Sequence, residues 1–120
     1  NISILWDYFR FYGPEEKLND LIHEAFRAHC FHQMLPFDLH GKLSNLGYKK
    51  IKSDNLSYLI TNRDKNSPAI FYEKMLSRFA ISQGISEEKV TDWQKQLKIS
   101  EKTGNFGFTS FPVLTSAFLG

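Results

Sequence analysis

The sequence lacks the features that mark several classes of protein. Its 120 residues contain a single cysteine, Cys30, so no internal disulfide can form, and a lone thiol favours a reducing compartment. No apolar run approaches the roughly 18 residues of a membrane span, and no segment has the pattern of a signal peptide. The net charge of +2 is too small for a dedicated nucleic-acid binder. We therefore expect a cytoplasmic domain without a membrane span or a nucleic-acid partner.

Aromatic residues, by contrast, are abundant. They make up 15% of the chain, with eleven phenylalanines among them, so bulky rings are expected to carry much of the core and of any apolar pocket. A chain of this length buries one modest core, and residues 1–120 are predicted to form a single domain.

Hydrophobic periodicity predicts four helices. The first has Pro14 in its first turn, and the second lies between Pro36 and Gly47, with Gly47 as a left-handed cap. The third has Ser67 as its N-cap and Pro68 as its first residue, and the fourth is capped by Ser86. Their apolar stripes are Leu18, Leu21, Ile22, Ala25, Phe26 and Cys30; Leu39, Leu43 and Leu46; Tyr72, Met75, Leu76, Phe79 and Ala80; and Val90, Trp93 and Leu97.

Three or four strands are predicted between and around these helices. Residues 2–6 are predicted to open the chain on a strand. Within residues 49–61, apolar residues alternate at Leu56, Tyr58 and Ile60 after a polar turn candidate at 53–55, which predicts a second strand or a hairpin. Residues 106–118 are aromatic and β-branched, and Pro112 predicts a bulge, a bend or a strand start. This order is typical of an α/β fold but supplies about half a sheet. We expect another chain, or a missing N-terminal half of a longer protein, to cover the exposed sheet edge.

Four stretches carry a family resemblance. Ile4-Leu5-Trp6-Asp7 resembles the end of the fifth strand in the family named at the end of this paragraph. Ala28-His29 followed by Leu35-Pro36 resembles the end of a helix in that family, which precedes a Leu-Pro turn. Residues 43–51 (LSNLGYKKI) resemble the junction into a sixth strand, and residues 85–93 and 104–114 resemble a final helix and a closing strand. In this order and spacing, they resemble the C-terminal half of a class I S-adenosylmethionine-dependent methyltransferase, of the ubiquinone/menaquinone-biosynthesis type and its small-molecule relatives.

The resemblance implies a partial Rossmann-like sheet of the last three or so strands with their helices, the final strand running antiparallel. It also implies S-adenosyl-L-methionine as the cofactor of the parent enzyme. The Gly-rich turn that holds this cofactor in the family is absent, because the seven glycines stand singly. We therefore expect no cofactor-binding residues in this chain and no activity from the chain alone.

The residues after the fifth-strand equivalent are the first candidates for binding the methyl acceptor. Ligands of doubly wound sheets sit outside the carboxyl ends of the strands, which is where Trp6, Asp7 and Tyr8 would lie. In the alternative interpretation, Trp6 is a core residue and Asp7 is solvated. Phe106 and Phe108 are further candidates for an acceptor pocket, with core packing as their alternative.

Histidines supply the remaining candidates. His29 lies on the apolar stripe of the first helix, where it could contact the acceptor as a base or could be packed and hydrogen-bonded to backbone. A metal site built from His23, His29, His32 and Cys30 is disfavoured, because on a helix His23 points away from the other two histidines.

The sequence thus leaves three hypotheses. The first is the substrate-side portion of a methyltransferase that acts on a small molecule. The second is a non-catalytic, methyltransferase-like subunit that pairs with a partner through its open sheet edge. The third is a small helical protein whose resemblance is accidental.

Overall fold

The computed structural model describes residues 2–3, 9–28, 30–32, 35–110 and 112–119. These residues contain four helices and seven strands, so the prediction is confirmed at the level of a mixed α/β fold. The helices are α1 Glu16–Arg27, α2 Leu35–Asn45, α3 Pro68–Ser82 and α4 Glu87–Lys102. The strands are β1 Ile2–Ser3, β2 Arg10–Tyr12, β3 Cys30–His32, β4 Tyr48–Asn55, β5 Tyr58–Ile60, β6 Gly107–Ser110 and β7 Val113–Leu119.

The helix boundaries follow local signals in the sequence. Ser67 caps α3 by accepting a hydrogen bond from the Ala69 amide, and Ser86 caps α4 by accepting one from Lys89. Gly47 follows α2 with a φ of 90°, the left-handed conformation predicted for it. These three predicted helix ends are therefore confirmed.

The strands form three small sheets. β1 and β3 pair in parallel, β2, β6 and β5 form an antiparallel sheet in that order, and β4 pairs antiparallel with β7. The register runs unchanged from the Lys52–Ser116 pair through the break at Pro112 to the Ile60–Phe108 pair. The Leu56 amide donates to the Pro112 carbonyl across that break. Residues 48–60 and 107–119 thus form one bent antiparallel ribbon.

The core lies between the helix-facing side of the β2-β6-β5 sheet and helices α1, α3 and α4. Strand pairing places Phe11, Phe108 and Ile60 side by side on that face. The helices contact one another and bury the aromatic and aliphatic side chains of their inner faces. The largest fully buried side chains are Trp93, Phe11, Phe26, Phe108, Ile22, Leu76, Leu97 and His23.

Three local predictions were wrong. Cys30 and His32 lie on β3 rather than on the first helix, because the chain leaves α1 after Arg27 and pairs with β1. Residues 53–55 belong to β4, where β7 satisfies their backbone groups; the turn comes later, at the Asn55 side chain, which accepts from the Ser57 amide. Leu46, beyond the end of α2, and Leu21, on α1, are exposed and contribute to no buried stripe.

Candidate functional site

An aromatic cluster lies where the chain entering β2 meets α3 and the sheet. The Phe9 ring meets Tyr72 and Phe108 edge to face, with centroid distances of 5.1 and 5.2 Å. Tyr72 stacks on Phe108 at 5.4 Å, and Tyr58 contacts the same ring at 6.3 Å. We call these four residues the tyrosine site.

The two tyrosines of this site carry its polar groups. Both side chains are half-buried, and within the described part of the chain neither hydroxyl has a hydrogen-bonding partner. Burial raises the pKa of Tyr72, and the neighbouring Tyr58 adds to the rise. The Tyr72 hydroxyl therefore remains protonated at physiological pH and can both donate and accept a hydrogen bond.

The predicted acceptor residues fall into two groups. Phe108 is fully buried beneath Tyr58 and Tyr72, and Phe106 packs against Phe11 at 6.2 Å in the core. For both rings, core packing is what the structure displays. Residues Trp6, Asp7, Tyr8 and His29 lie outside the described residues.

A second candidate is a buried polar network around Asn19. The Trp93 indole N–H donates to the Asn19 side-chain oxygen at 2.9 Å, and the Asn19 amide donates to the Phe11 carbonyl at 2.9 Å. The Phe11 amide donates to His23 Nε2 at 3.0 Å. His23 Nδ1 lies 2.7 Å from the Asn19 carbonyl. Since Nε2 accepts, Nδ1 carries the proton and donates.

This network stabilises the fold and has no group left to offer a ligand. His23 is 1% exposed, and burial lowers its pKa from 6.5 to about 4, so the imidazole is neutral. Both ring nitrogens are occupied by the backbone contacts described above. The network fixes α1 against β2 and α4.

An ion pair ties the loop after β5 to the helices. The Arg63 guanidinium donates to both oxygens of Glu73 on α3 at 2.7–2.9 Å, and the Arg63 amide donates to Glu101 on α4. Burial raises the pKa of the Glu73 carboxyl, while the hydrogen bonds and charge of Arg63 oppose the rise. Because these charges are mutually satisfied, we assign this cluster to structure rather than to ligand binding.

At the junction between β2 and α1, a glycine separates a strand from a helix, which is the order of elements found in a nucleotide-binding turn. Its residues do not fit the cofactor. A Cβ on Gly13 would lie 2.5 Å from Ser100 Oγ, so this glycine permits close packing of α4 rather than approach of a ligand. The Glu15 carboxylate accepts from the Lys17 and Leu18 amides and so fills the anion position at the helix N-terminus.

Two open grooves along α4 are weaker candidates. Both include Lys89 and Asp92, and one extends across to Leu18 and Leu21 of α1. Their walls mix charges of both signs and present no aromatic ring. Among the described residues, no group of three His, Cys, Asp or Glu side chains is placed to hold a metal ion.

Comparison of the chain with protein-family models, with curated proteins and with solved structures finds no match. In the part of the chain that the structure describes, no helix has both the length and the apolarity needed to cross a bilayer.

The sequence analysis did not identify the tyrosine site. Tyr58 and Tyr72 were each placed correctly, on a strand and on a helix, but as ordinary members of apolar patterns. They are separated by fourteen positions, and neither pattern indicates that both rings contact Phe108. The polar character of two tyrosines within apolar patterns was the only available signal.

Proposed function

We propose that this chain is the acceptor-side, C-terminal portion of an S-adenosylmethionine-dependent methyltransferase that methylates a small molecule. The main observation in support of this proposal is the antiparallel pairing of the ribbon formed by residues 48–60 and 107–119. The resemblance places the entry to a sixth strand at residues 43–51 and a closing strand at residues 104–114, and it implies that the closing strand runs antiparallel. In the structure, these stretches lead into residues 48–60 and 107–119 of the ribbon. The antiparallel register of these two segments supports that interpretation.

In this proposal the chain belongs to the last part of a Rossmann-like sheet, and its role is to hold the acceptor. Orienting a nucleophile and excluding water are the main tasks of the protein when the transferred methyl group is already activated. Trp6, Asp7 and Tyr8 are proposed to contact the acceptor, with Asp7 bonding a hydroxyl or an amine. The cofactor is proposed to bind a separate portion of the sheet, since the β2–α1 junction does not fit it.

The test uses the complete polypeptide encoded by the gene that contains these residues. We expect it to bind S-adenosylmethionine in calorimetric titration and to release S-adenosylhomocysteine with some members of a panel of phenols and amines. Asp7→Asn should lower turnover, whereas Asp38→Asn, on the exposed side of α2, should leave it unchanged. The 120-residue chain alone should not bind the cofactor at micromolar concentration; binding by it would contradict the proposed division of roles.

A non-catalytic, methyltransferase-like subunit is the second candidate. It is favoured by the β4–β7 pair, whose outer edges have no strand neighbour among the described residues and which exposes Leu114 and Phe118. This candidate predicts a stable hetero-oligomer and no cofactor binding by the complete polypeptide. Sedimentation analysis of that polypeptide, combined with the calorimetric titration, distinguishes the two candidates.

A further inference from the structure

We propose that the end of the ribbon where β4 begins and β7 ends binds the surface of an anionic lipid bilayer. This surface, which we call the ribbon tip, consists of Leu46, Lys49, Lys50, Phe118 and Leu119. The interaction is independent of both functions proposed above, because it uses only side chains that are exposed at one end of the described ribbon.

Three large apolar side chains are exposed at the ribbon tip: Leu46 is 71% exposed, Phe118 is 65% exposed and Leu119 is 77% exposed. Leu119 pairs with Tyr48, and Leu46 lies two residues before that tyrosine. Phe118 precedes Leu119 on β7 and points to the opposite face of the ribbon. Large apolar groups therefore occupy both faces of the ribbon at this end. Exposed apolar patches of this kind mark sites of interaction with proteins or membranes.

Positive charge surrounds these apolar side chains. Lys49 and Lys50 are exposed on β4. Lys42 is exposed on the last turn of α2, and its carbonyl accepts from the Leu46 amide. No acidic residue occurs at positions 39–53, and β7 carries no charged residue. Three lysines are thus concentrated around the ribbon tip, although the net charge of the whole chain is only +2.

The β-bulge in β4 brings one of these charges close to an apolar ring. Lys50 lies at the bulge with a φ of 52°, a conformation that is uncommon for a residue with a side chain. Bulges change the direction of a side chain, and Lys50 Nζ lies 6.0 Å from the centre of the Phe118 ring. Within the described part of the chain, Lys50 forms no ion pair. An unpaired cation and an exposed aromatic ring are therefore presented together.

An anionic bilayer matches both properties of the ribbon tip. Apolar side chains enter the boundary between headgroups and acyl chains, while the long stems of lysines keep their charges at the phosphate level. Insertion is expected to be shallow, because the unpaired backbone groups of a strand edge cannot enter hydrocarbon. A single-stranded nucleic acid could bond the lysines and stack on Phe118, but it offers no apolar layer to Leu46 and Leu119. Two ribbon tips facing each other would bring like charges together.

Vesicle sedimentation with the 120-residue chain measures this interaction. One set of vesicles contains equal parts of phosphatidylserine and phosphatidylcholine, and the other contains phosphatidylcholine alone. We expect at least about tenfold tighter binding to the phosphatidylserine vesicles, because each lysine near an anionic surface is attracted to it. This preference should shrink as the salt concentration is raised, since salt screens exposed charges.

A pair of double variants tests whether the charge acts locally. Lys49→Gln/Lys50→Gln should weaken binding to the phosphatidylserine vesicles more than about tenfold, since each lysine near such a surface contributes about fivefold. Lys95→Gln/Lys98→Gln lowers the net charge equally but lies on the exposed side of α4, so it should leave binding unchanged.

A second pair of variants tests the apolar contact. Phe118→Ala should weaken binding about tenfold, because it removes a large apolar side chain from the inserted surface. Leu114→Ala removes another exposed apolar side chain from β7, but it lies opposite Asp54 and away from the ribbon tip, so binding should be unchanged.

Four results would overturn the inference: no sedimentation with phosphatidylserine vesicles, equal sedimentation with both lipid mixtures, equal losses in the two lysine double variants, or unchanged binding in Phe118→Ala. Single-stranded polyuridine is a further probe. If the chain bound this RNA through Lys49 and Lys50 and did not bind vesicles, the occupant would be a nucleic acid and the inference would likewise be wrong.

Discussion

At the scale of single residues, buried polar side chains determine how the elements of the core are oriented. Asn19 has a side chain that accepts from Trp93 and donates to the Phe11 carbonyl, so one residue of α1 bonds both α4 and β2. A leucine at this position would fill similar space but could not orient the indole. The specificity of this part of the core therefore depends on hydrogen bonds as well as on volume.

Asn19→Leu should lower the free energy of unfolding by about 2–4 kcal/mol, because it leaves the Trp93 N–H and the Phe11 carbonyl buried without partners. Urea denaturation followed by tryptophan fluorescence measures the change. Asn66→Leu, at an exposed turn position, is the control and should fall within about 0.5 kcal/mol of wild type. Equal effects of the two substitutions would show that the network contributes nothing.

The lowered pKa of His23 makes stability depend on pH. Between about pH 6.5 and 4 the unfolded chain binds a proton at His23 and the folded chain does not, so stability falls as the pH falls through this window. A shift from 6.5 to about 4 corresponds to a loss of about 3 kcal/mol.

His23→Gln removes this titrating group. Urea denaturation at several pH values should therefore show a smaller loss of stability between pH 6.5 and 4 in this variant than in wild type. His40→Gln, on the exposed side of α2, should keep the wild-type slope. An unchanged slope in His23→Gln would mean that other groups cause the acid sensitivity.

At the scale of elements, the β2–α1 junction shows how one glycine sets the position of a helix. Gly13 has a φ of 130°, and the space beside its α-carbon is occupied by the Ser100 side chain. Helix α4 can therefore approach the start of α1, where the Glu15 amide donates to Gln96 at 2.7 Å. The junction is a packing contact between two helices.

Gly13→Ala should destabilise the protein by more than about 2 kcal/mol, since it combines an unfavourable φ with a clash at Ser100. Thermal unfolding followed by circular dichroism measures the effect. In the Ser100→Gly background, which removes the clash, Gly13→Ala should cost less than in wild type, and the remaining cost is the part due to φ. Gly41→Ala is the matched control: no heavy atom lies near its Cβ position, and alanine favours the helix, so its stability should be unchanged or slightly raised.

The local sequence of β4 and β7 does not explain the shape of the ribbon either. Between the Lys49–Phe118 and Lys52–Ser116 pairs, β4 contains one residue more than β7, and Lys50 has a φ of 52°. This β-bulge turns the end of the ribbon, as bulges do, by adding local twist. Three lysines on β4 discourage another strand from pairing there, whereas β7 carries no charged residue.

At the scale of the whole molecule, the chain is more extended than a compact domain of its length. The radius of gyration is 16.7 Å, against about 14 Å expected for a compact chain of this size. Helices α1, α3 and α4 pack together over the three-stranded sheet, while α2 packs on β4 and β7. Much of the aromatic core lies in the first group, so stability is expected to be uneven.

Amide hydrogen exchange should reveal this difference in local stability between the ribbon and the helices. Amides of β4 and β7 should exchange at least tenfold faster than those of buried positions in α4, because a two-stranded pair with open edges is only marginally stable. NMR-detected exchange at neutral pH measures both groups in one sample. Equal protection would indicate that the ribbon and the helical body unfold together.

The sequence by itself determined the four helices and several of their ends, because these depend on local periodicity, on side chains that cap helix ends, and on proline and glycine geometry. Ser67, Ser86 and Gly47 were each predicted in the role that the structure displays. Boundaries were wrong at Cys30 and at residues 53–55, where pairing with a distant strand prevailed over local preference.

Only the tertiary structure decided which polar side chains meet. Asn19 and Trp93 are 74 positions apart, and nothing in either helix pattern indicates that they share a hydrogen bond. The same holds for Tyr58 and Tyr72, which come together because a strand and a helix both pack against Phe108. Periodicity specifies which face of an element is buried, but the partner across that face depends on how whole elements pack.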